Sequence, residues 1–129
     1  MTATGNVSRA LHSGVVQLVS SFLHDAGLPA APRPYVAPSA KLSDALAAEW
    51  AHGVDGDVRG LDGIYANVTT RQSFRPWDDL DRARTGAHIM GRPVGLFIQW
   101  RSGRSVDDSI VVLSLTDFAK LIGGTPPAP

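Results

Sequence analysis

Apolar and polar residues alternate over Ile64–Thr70, which is the clearest local pattern in the chain. Successive side chains of a β-strand point to opposite faces, so the alternation predicts a strand with one apolar face. The other face would carry polar or amphipathic side chains at every second position: Tyr65, Asn67, Thr69 and Arg71. An acidic turn, Asp55-Gly56-Asp57, shortly precedes the strand, so its carboxylates would lie beside that polar face.

Apolar residues at helical spacing predict a long first helix, which Ser8 would cap and which would run to about Ala26, with Gly27 as its stop. Its apolar stripe would consist of Leu11, Val15, Leu18, Val19, Phe22 and Leu23. A short second helix would begin at Ser43 and end near His52.

A third helix is predicted over Trp77–Met90, because Asp78 and Asp79 suit the positive end of a helix in its first turn. The last helix would span Asp117–Ile122, with Thr116 as its cap. The predicted helices therefore stand on both sides of the central strand in sequence.

Two further strands follow from composition. Val94–Trp100 is rich in β-branched and aromatic residues, and Ile110–Leu115 is almost continuously apolar, which is typical of a strand buried on both faces. Helices and strands thus interleave along the chain. This order predicts an α/β or α+β domain with a small mixed sheet of three to four strands flanked by helices.

A chain of 129 residues is expected to form one domain, here residues 1–124. Prolines recur between residues 28 and 42, so this stretch is expected to be a semi-rigid linker, with Tyr35–Ala37 as a short edge strand at most. The Pro-rich residues 125–129 are expected to be a disordered tail.

Composition excludes several classes of function. The 12 basic and 12 acidic residues balance, so the total charge does not predict a nucleic-acid partner. The chain contains no cysteine and therefore neither a disulfide framework nor a cysteine-ligated metal. Its 4 histidines lack metal-ligand spacing, and the apolar run Val15–Leu23 is too short to cross a bilayer.

The acidic turn and the strand after it resemble the PD-(D/E)xK nuclease-like superfamily, in particular small resolvase-like proteins of actinobacterial phages. The resemblance is concentrated in Gly56-Asp57-Val58, in Gly63–Thr69 and in the segment from Gly91 to Ile122, and it covers about Leu11–Ile122 in element order. In that family a Gly-Asp turn precedes a strand with Glu-x-Lys, and the carboxylates hold Mg²⁺. A helix that opens near a tryptophan follows, as it would here at Trp77.

The resemblance implies a restriction-endonuclease-like fold in which Asp57 occupies the position of the family aspartate. Asn67 and Thr69 stand where the family has Glu and Lys, so the site would be degenerate and would comprise Asp57, Asn67, Thr69 and Arg71. We therefore expect a protein of phage origin that binds nucleic acid, or assists a DNA transaction, without cutting and without a cofactor.

Two alternative functions stay open. An active Mg²⁺-dependent endonuclease or Holliday-junction resolvase would hold the metal with Asp55 and Asp57 and use Arg71 as the relocated positive charge. A phage structural or interaction component would instead bind a phage or host protein, or a second copy of the chain. The expected location is the host cytoplasm or the virion, without membrane association. In the plainest interpretation, the acidic segment is only a turn, and Asn67 and Thr69 face solvent.

The second half of the chain also carries most of the basic residues. We expect Arg75, Arg101 and Arg104 to contact DNA phosphates and Trp100 to stack on a base. The alternative is a solvated surface in which these arginines pair with neighbouring aspartates such as Asp107.

Overall fold

The computed structural model describes residues 3–34, 41–44, 46–47 and 55–127, and for residues 3–7 the backbone only. Its elements follow in this order: α1 (Ala3–Asp25), β1 (Ala31–Pro32), β2 (Val58–Arg59), β3 (Ile64–Thr69), α2 (Pro76–Ile89), β4 (Val94–Gln99), a 3-10 turn (Val106–Asp108), β5 (Ile110–Leu113) and α3 (Leu115–Leu121). Residues 42–44 and 46–47 are helical at the position of the predicted second helix. The rest of that helix and the predicted edge strand Tyr35–Ala37 lie outside the described residues.

The main sheet has three strands in the order β3-β4-β5, which confirms the predicted small mixed sheet flanked by helices. β3 and β4 run parallel, with Ile64 opposite Val94 and Thr69 opposite Gln99. β5 runs antiparallel to β4, and β1 and β2 form a separate antiparallel pair. The two parallel strands therefore start and stop at the same level, so the carboxyl ends of β3 and β4 lie side by side at one end of the sheet.

Helices cover both faces of this sheet. α1 contributes Val15, Val16 and Val19 to the core formed with the apolar side chains of β3 and β4. α2 lies against the opposite face and comes very close to it, because a Cβ at Gly95 would lie only 2.7 Å from the Ala83 carbonyl oxygen. The residues of β4 are all buried between the two layers.

The apolar stripe predicted for α1 is wrong in part, because Leu18 and Phe22 are 57% and 50% exposed. The face that packs on the sheet instead follows residues 12, 15, 16, 19, 20 and 23, which recur at helical spacing and include two polar residues. α1 also begins at Ala3 rather than after Ser8. Its predicted stop is confirmed, since Gly27 has φ +96° and its N–H donates to the His24 carbonyl.

The prediction that the last strand is buried on both faces is wrong. β5 is an edge strand, and Ile110 and Val111 are about half exposed. The cap of α3 also differs from the prediction: the Ser114 hydroxyl, not Thr116, accepts the Asp117 N–H at 3.0 Å. An apolar run alone does not distinguish a central strand from an edge strand that leaves apolar residues on the surface.

The predicted linker begins inside the fold. Ala30 is part of the hydrophobic core, and β1 pairs with β2, so residues 30–32 belong to the fold rather than to a linker. The Arg33 N–H donates to the Asp57 carbonyl at 2.8 Å, which fixes this segment beside the acidic turn. Residues 124–127 follow α3 without regular secondary structure. No helix in the described part of the chain has the length and apolarity needed to cross a membrane.

Candidate functional site around Asp57

The backbone conformation of Gly56 places the acidic turn directly against β3. Gly56 forms a parallel bridge with Ala66, and the Asp57 N–H donates to the Ala66 carbonyl at 2.7 Å. Gly56 has φ +85°, and a Cβ there would lie 2.6 Å from the same carbonyl oxygen. The turn therefore requires glycine at this position, and it delivers the side chain of Asp57 to the edge of β3.

The carboxylate of Asp57 is buried and serves as a cap for the edge of β3. Its Oδ2 accepts the Val68 N–H at 2.8 Å and lies 3.4 Å from the His12 Nε2. Its Oδ1 lies 3.7 Å from the Arg33 Nη1. A buried carboxylate needs such partners, because an unpaired charge out of water is costly.

His12 is held by two acceptors on the same ring nitrogen. Nε2 lies 2.9 Å from the Val68 carbonyl oxygen as well as close to Asp57. Since a carbonyl can only accept, Nε2 carries the proton in the neutral ring too. The hydrogen bond to the Asp57 carboxylate raises the pKa of His12 above its ordinary value of 6.5, and this outweighs the lowering by burial. The pairing with Asp57 therefore favours protonation of His12.

Two adjoining cavities share His12, Arg33 and Asp57, and we call their combined surface the Asp57 groove. Its other lining residues are Ser8, Arg9, Ser13, Val16 and Pro34 on one side, and Tyr65, Asn67, Val68, Thr69, Asp79, Arg82 and Phe97 on the other. Arg9 on α1 and Arg82 on α2 are exposed. The groove thus runs from the first helix across the edge of β3 to the second helix, with arginines on both sides.

The structure brings together three of the four predicted degenerate-site residues. Asp57, Asn67 and Thr69 all line the groove, so the polar face of β3 is a groove wall rather than a solvated surface. Arg71 does not line it: its Nη2 donates to the buried Asp79 carboxylate at 2.6 Å, and its Nε donates to the Ser73 hydroxyl.

Asp55, the second predicted metal ligand, points to other partners. Its Oδ1 lies 2.8 Å from the Arg92 Nη2, and its Oδ2 accepts the Gly60 N–H at 3.3 Å. It lines neither of the cavities that form the Asp57 groove. The two carboxylates of the acidic turn therefore serve different neighbours.

The donor set of the groove does not fit Mg²⁺. This ion is held by carboxylates, substrate phosphates and several waters in near-octahedral geometry. Here the Asp57 carboxylate already receives an N–H, an imidazole and a guanidinium. Within the described ranges, no cluster of three or more His, Cys, Asp or Glu side chains is placed to hold a metal. No catalytic step through a metal follows from this arrangement.

The structure does not bring all the predicted DNA-contacting residues together at one site. Arg101 and Arg104 line another pocket, together with Phe74 and Gln99, at the carboxyl ends of β3 and β4. Trp100 does not line this pocket, and its partly buried side chain packs against the hydrophobic core. Stacking of a base on Trp100 stays a prediction. Arg75 immediately precedes α2, is exposed and lines neither of these sites.

Sequence reasoning missed His12, Arg33 and Arg9 as groove residues. His12 could have been identified from helical spacing, since it extends the buried stripe of Val15, Val16 and Val19 by one helical turn towards the N-terminus. A histidine on a buried helical face needs a partner, and Asp57 supplies it. Arg33 left no such signal, because it lies in a proline-rich stretch whose path the sequence does not define.

Comparison of the chain with protein-family models, with curated proteins and with solved structures found no match.

Proposed function

We propose that the protein is a non-catalytic nucleic-acid-binding domain, an accessory of a DNA transaction, that holds the phosphate backbone in the Asp57 groove. The observation that carries the proposal is the arrangement of three arginines along the groove, Arg9, Arg33 and Arg82, beside the imidazole of His12. The resemblance to phage nuclease-like proteins supports the same class of partner and implies a phage origin.

The charges of the groove favour a polyanion. Asp57 faces both Arg33 and His12, while Asp79 is matched by Arg71 from outside the groove. The two carboxylates of the groove are therefore each paired with a basic side chain. Arg9 and Arg82 add two exposed guanidinium groups to these pairs. Guanidinium groups form charge-assisted hydrogen bonds with phosphate oxygens, and such contacts give affinity without reading sequence.

The chemistry of the β3 wall favours binding over cleavage. Thr69 offers a hydroxyl, and Asn67 an amide, where the nuclease family has a lysine and a carboxylate. These neutral groups can hydrogen-bond a phosphate but supply neither the metal ligand nor the positive charge of the family mechanism. The carboxylate of Asp57 already accepts the Val68 N–H, so this side chain also has a structural role at the edge of β3.

The proposal is tested by titrating labelled duplex, single-stranded and four-way-junction DNA with the protein and following fluorescence anisotropy. Each titration is run at two salt concentrations, with Mg²⁺, Mn²⁺ or EDTA, and the products are examined on denaturing gels. We expect salt-sensitive binding that is independent of the metal and leaves the DNA intact. Metal-dependent cleavage by the wild type that disappears in Asp57→Asn would instead establish an active endonuclease.

A protein-interaction role is the second candidate, and one surface favours it. Trp77 and Leu115 are 77% and 86% exposed and line the same mostly apolar pocket, which lies between α2 and the segment that leads from β5 into α3. Large exposed apolar side chains that lie together mark interaction surfaces. If this role is correct, light scattering will show an oligomer that Trp77→Ser dissociates, and salt-dependent DNA binding will be absent.

A further inference from the structure

A second pocket lies at the carboxyl ends of the two parallel strands, and two loops build it. The Trp100 N–H donates to the Thr69 carbonyl at 3.0 Å, and the Ser102 N–H donates to the Gln72 Oε1 at 3.0 Å. These bonds tie the loop after β3 to the loop after β4. They enclose a pocket of about 330 Å³, which we call the terminal pocket; its lining residues are Gln72, Phe74, Gln99, Arg101, Arg104, Asp108 and Ile110.

Gln99 lines the terminal pocket and carries a buried acceptor without a hydrogen bond from the described residues. The side chain is more than nine-tenths buried, and its Nε2 donates to the Arg71 carbonyl at 2.6 Å and to the Trp100 carbonyl at 3.3 Å. Two carbonyl partners fix the orientation of the amide, because only the NH₂ group can donate. Its Oε1 is shielded from solvent and accepts no hydrogen bond from the described residues. Buried acceptors without a donor are rare and call for a partner.

The mouth of the pocket combines an aromatic ring with positive charge. Phe74 is 52% exposed, so one part of its ring is open to a flat ligand. Arg101 and Arg104 are both exposed in the loop after β4, and Asp108 is the one carboxylate among the residues that line the pocket with them. The lining therefore offers a stacking surface, a buried acceptor and a net positive charge within one cavity.

We propose that the terminal pocket binds one unpaired nucleotide of a DNA strand. The base stacks on Phe74, and Arg101 and Arg104 hold the adjoining phosphates. This inference rests on the proposed function and deepens it, because the Asp57 groove holds the backbone while the terminal pocket selects an unpaired end. Arg71 connects the two sites: its carbonyl orients Gln99, and its guanidinium pairs with Asp79 of the groove.

The experiment compares a blunt duplex with the same duplex carrying a short oligothymidine overhang, by fluorescence anisotropy. Oligothymidine forms no competing structure. We expect the overhang to be bound about tenfold more tightly than the blunt end, as one stacked base provides. Phe74→Ala should abolish this preference without changing the affinity for the blunt duplex. Phe22→Ala is the matched control, since Phe22 is 50% exposed on α1 and lines neither site.

An abasic overhang separates base recognition from added charge, because it keeps the phosphates and removes the rings. It should lose most of the tenfold gain. Equal affinity for blunt and overhanging duplexes, or a preference that survives in Phe74→Ala, would overturn the terminal-pocket proposal while leaving the groove untouched. A Phe74-dependent preference for the overhang without any binding of the blunt duplex would support the terminal pocket and contradict the groove. Binding of neither DNA would overturn both.

Discussion

Asp57→Ala tests whether the carboxylate at the centre of the groove stabilises the fold or is held there at a cost for catalysis. The substitution removes the acceptor of the buried Val68 N–H, a hydrogen bond to a charged group at 2.8 Å. Loss of such a bond costs about 1.5–3 kcal/mol. His12 and Arg33 also lose their counter-charge, but both side chains are about one-third exposed, so solvent screening limits each to at most about 1 kcal/mol.

Together these terms predict that Asp57→Ala lowers the free energy of unfolding by about 1.5–5 kcal/mol. Asp57→Asn keeps an oxygen for the Val68 N–H and should cost about 1–2 kcal/mol. Urea denaturation at neutral pH measures both. Asp62→Ala is the control, because Asp62 is exposed and its removal should change stability by less than about 0.5 kcal/mol. A catalytic carboxylate is commonly a liability for stability, so an Asp57→Ala variant as stable as the wild type, or more stable, would refute the reasoning.

Three further predictions concern the surroundings of Asp57 and the start of β4. The pKa of His12 is raised in the folded state, so the stabilisation that its pairing with Asp57 provides is fully present below about pH 6.5 and is lost as the pH rises through the folded pKa. In urea titrations, His12→Gln should therefore destabilise the protein more at pH 5.5 than at pH 9. An equal effect at both pH values would contradict the pairing of His12 with Asp57. Gly56→Ala should cost at least about 2 kcal/mol through its clash with β3, whereas Gly103→Ala, at a similar φ in open space, should cost only about 1 kcal/mol of backbone strain in the same assay. Asp117→Ala removes the acceptor of the Gly95 N–H and should cost about 1.5–3 kcal/mol; thermal unfolding without a shift in Tm would show that this bond is not needed.

The strands and helices that pack most tightly were the most predictable from sequence. The alternation over Ile64–Thr69 and the composition of Val94–Gln99 predict these two strands, because side-chain period and β-branching act locally, but not that they pair in parallel. The same local rules misplace Leu18, since helical spacing alone gives two apolar faces on α1 and only the sheet decides between them. Edge position, which exposes half of β5, is likewise set by partners distant in sequence.

The site was predictable only where its residues share one strand. Asn67 and Thr69 follow from the period of β3, and Asp57 from the turn before it. His12 lies 56 positions from Val68, to which it is bonded, and Arg33 lies in a stretch without periodicity. The local sequence does not identify the role of Asp57 or Asp117 either. Each carboxylate accepts a strand N–H that has no neighbouring strand to pair with, and this unpaired N–H exists only once the sheet has formed.

The salt dependence of duplex binding tests the central claim most directly. In a double variant, Arg9→Gln with Arg82→Gln, the groove loses two exposed cations; the control, Lys41→Gln with Arg59→Gln, loses the same charge from exposed positions that do not line the groove. Each lost phosphate contact should reduce the slope of log K against log salt by about 0.9, so the groove variant should show a slope smaller by about 1–2 and the control an unchanged slope. Equal slopes in both variants would contradict phosphate binding in the Asp57 groove.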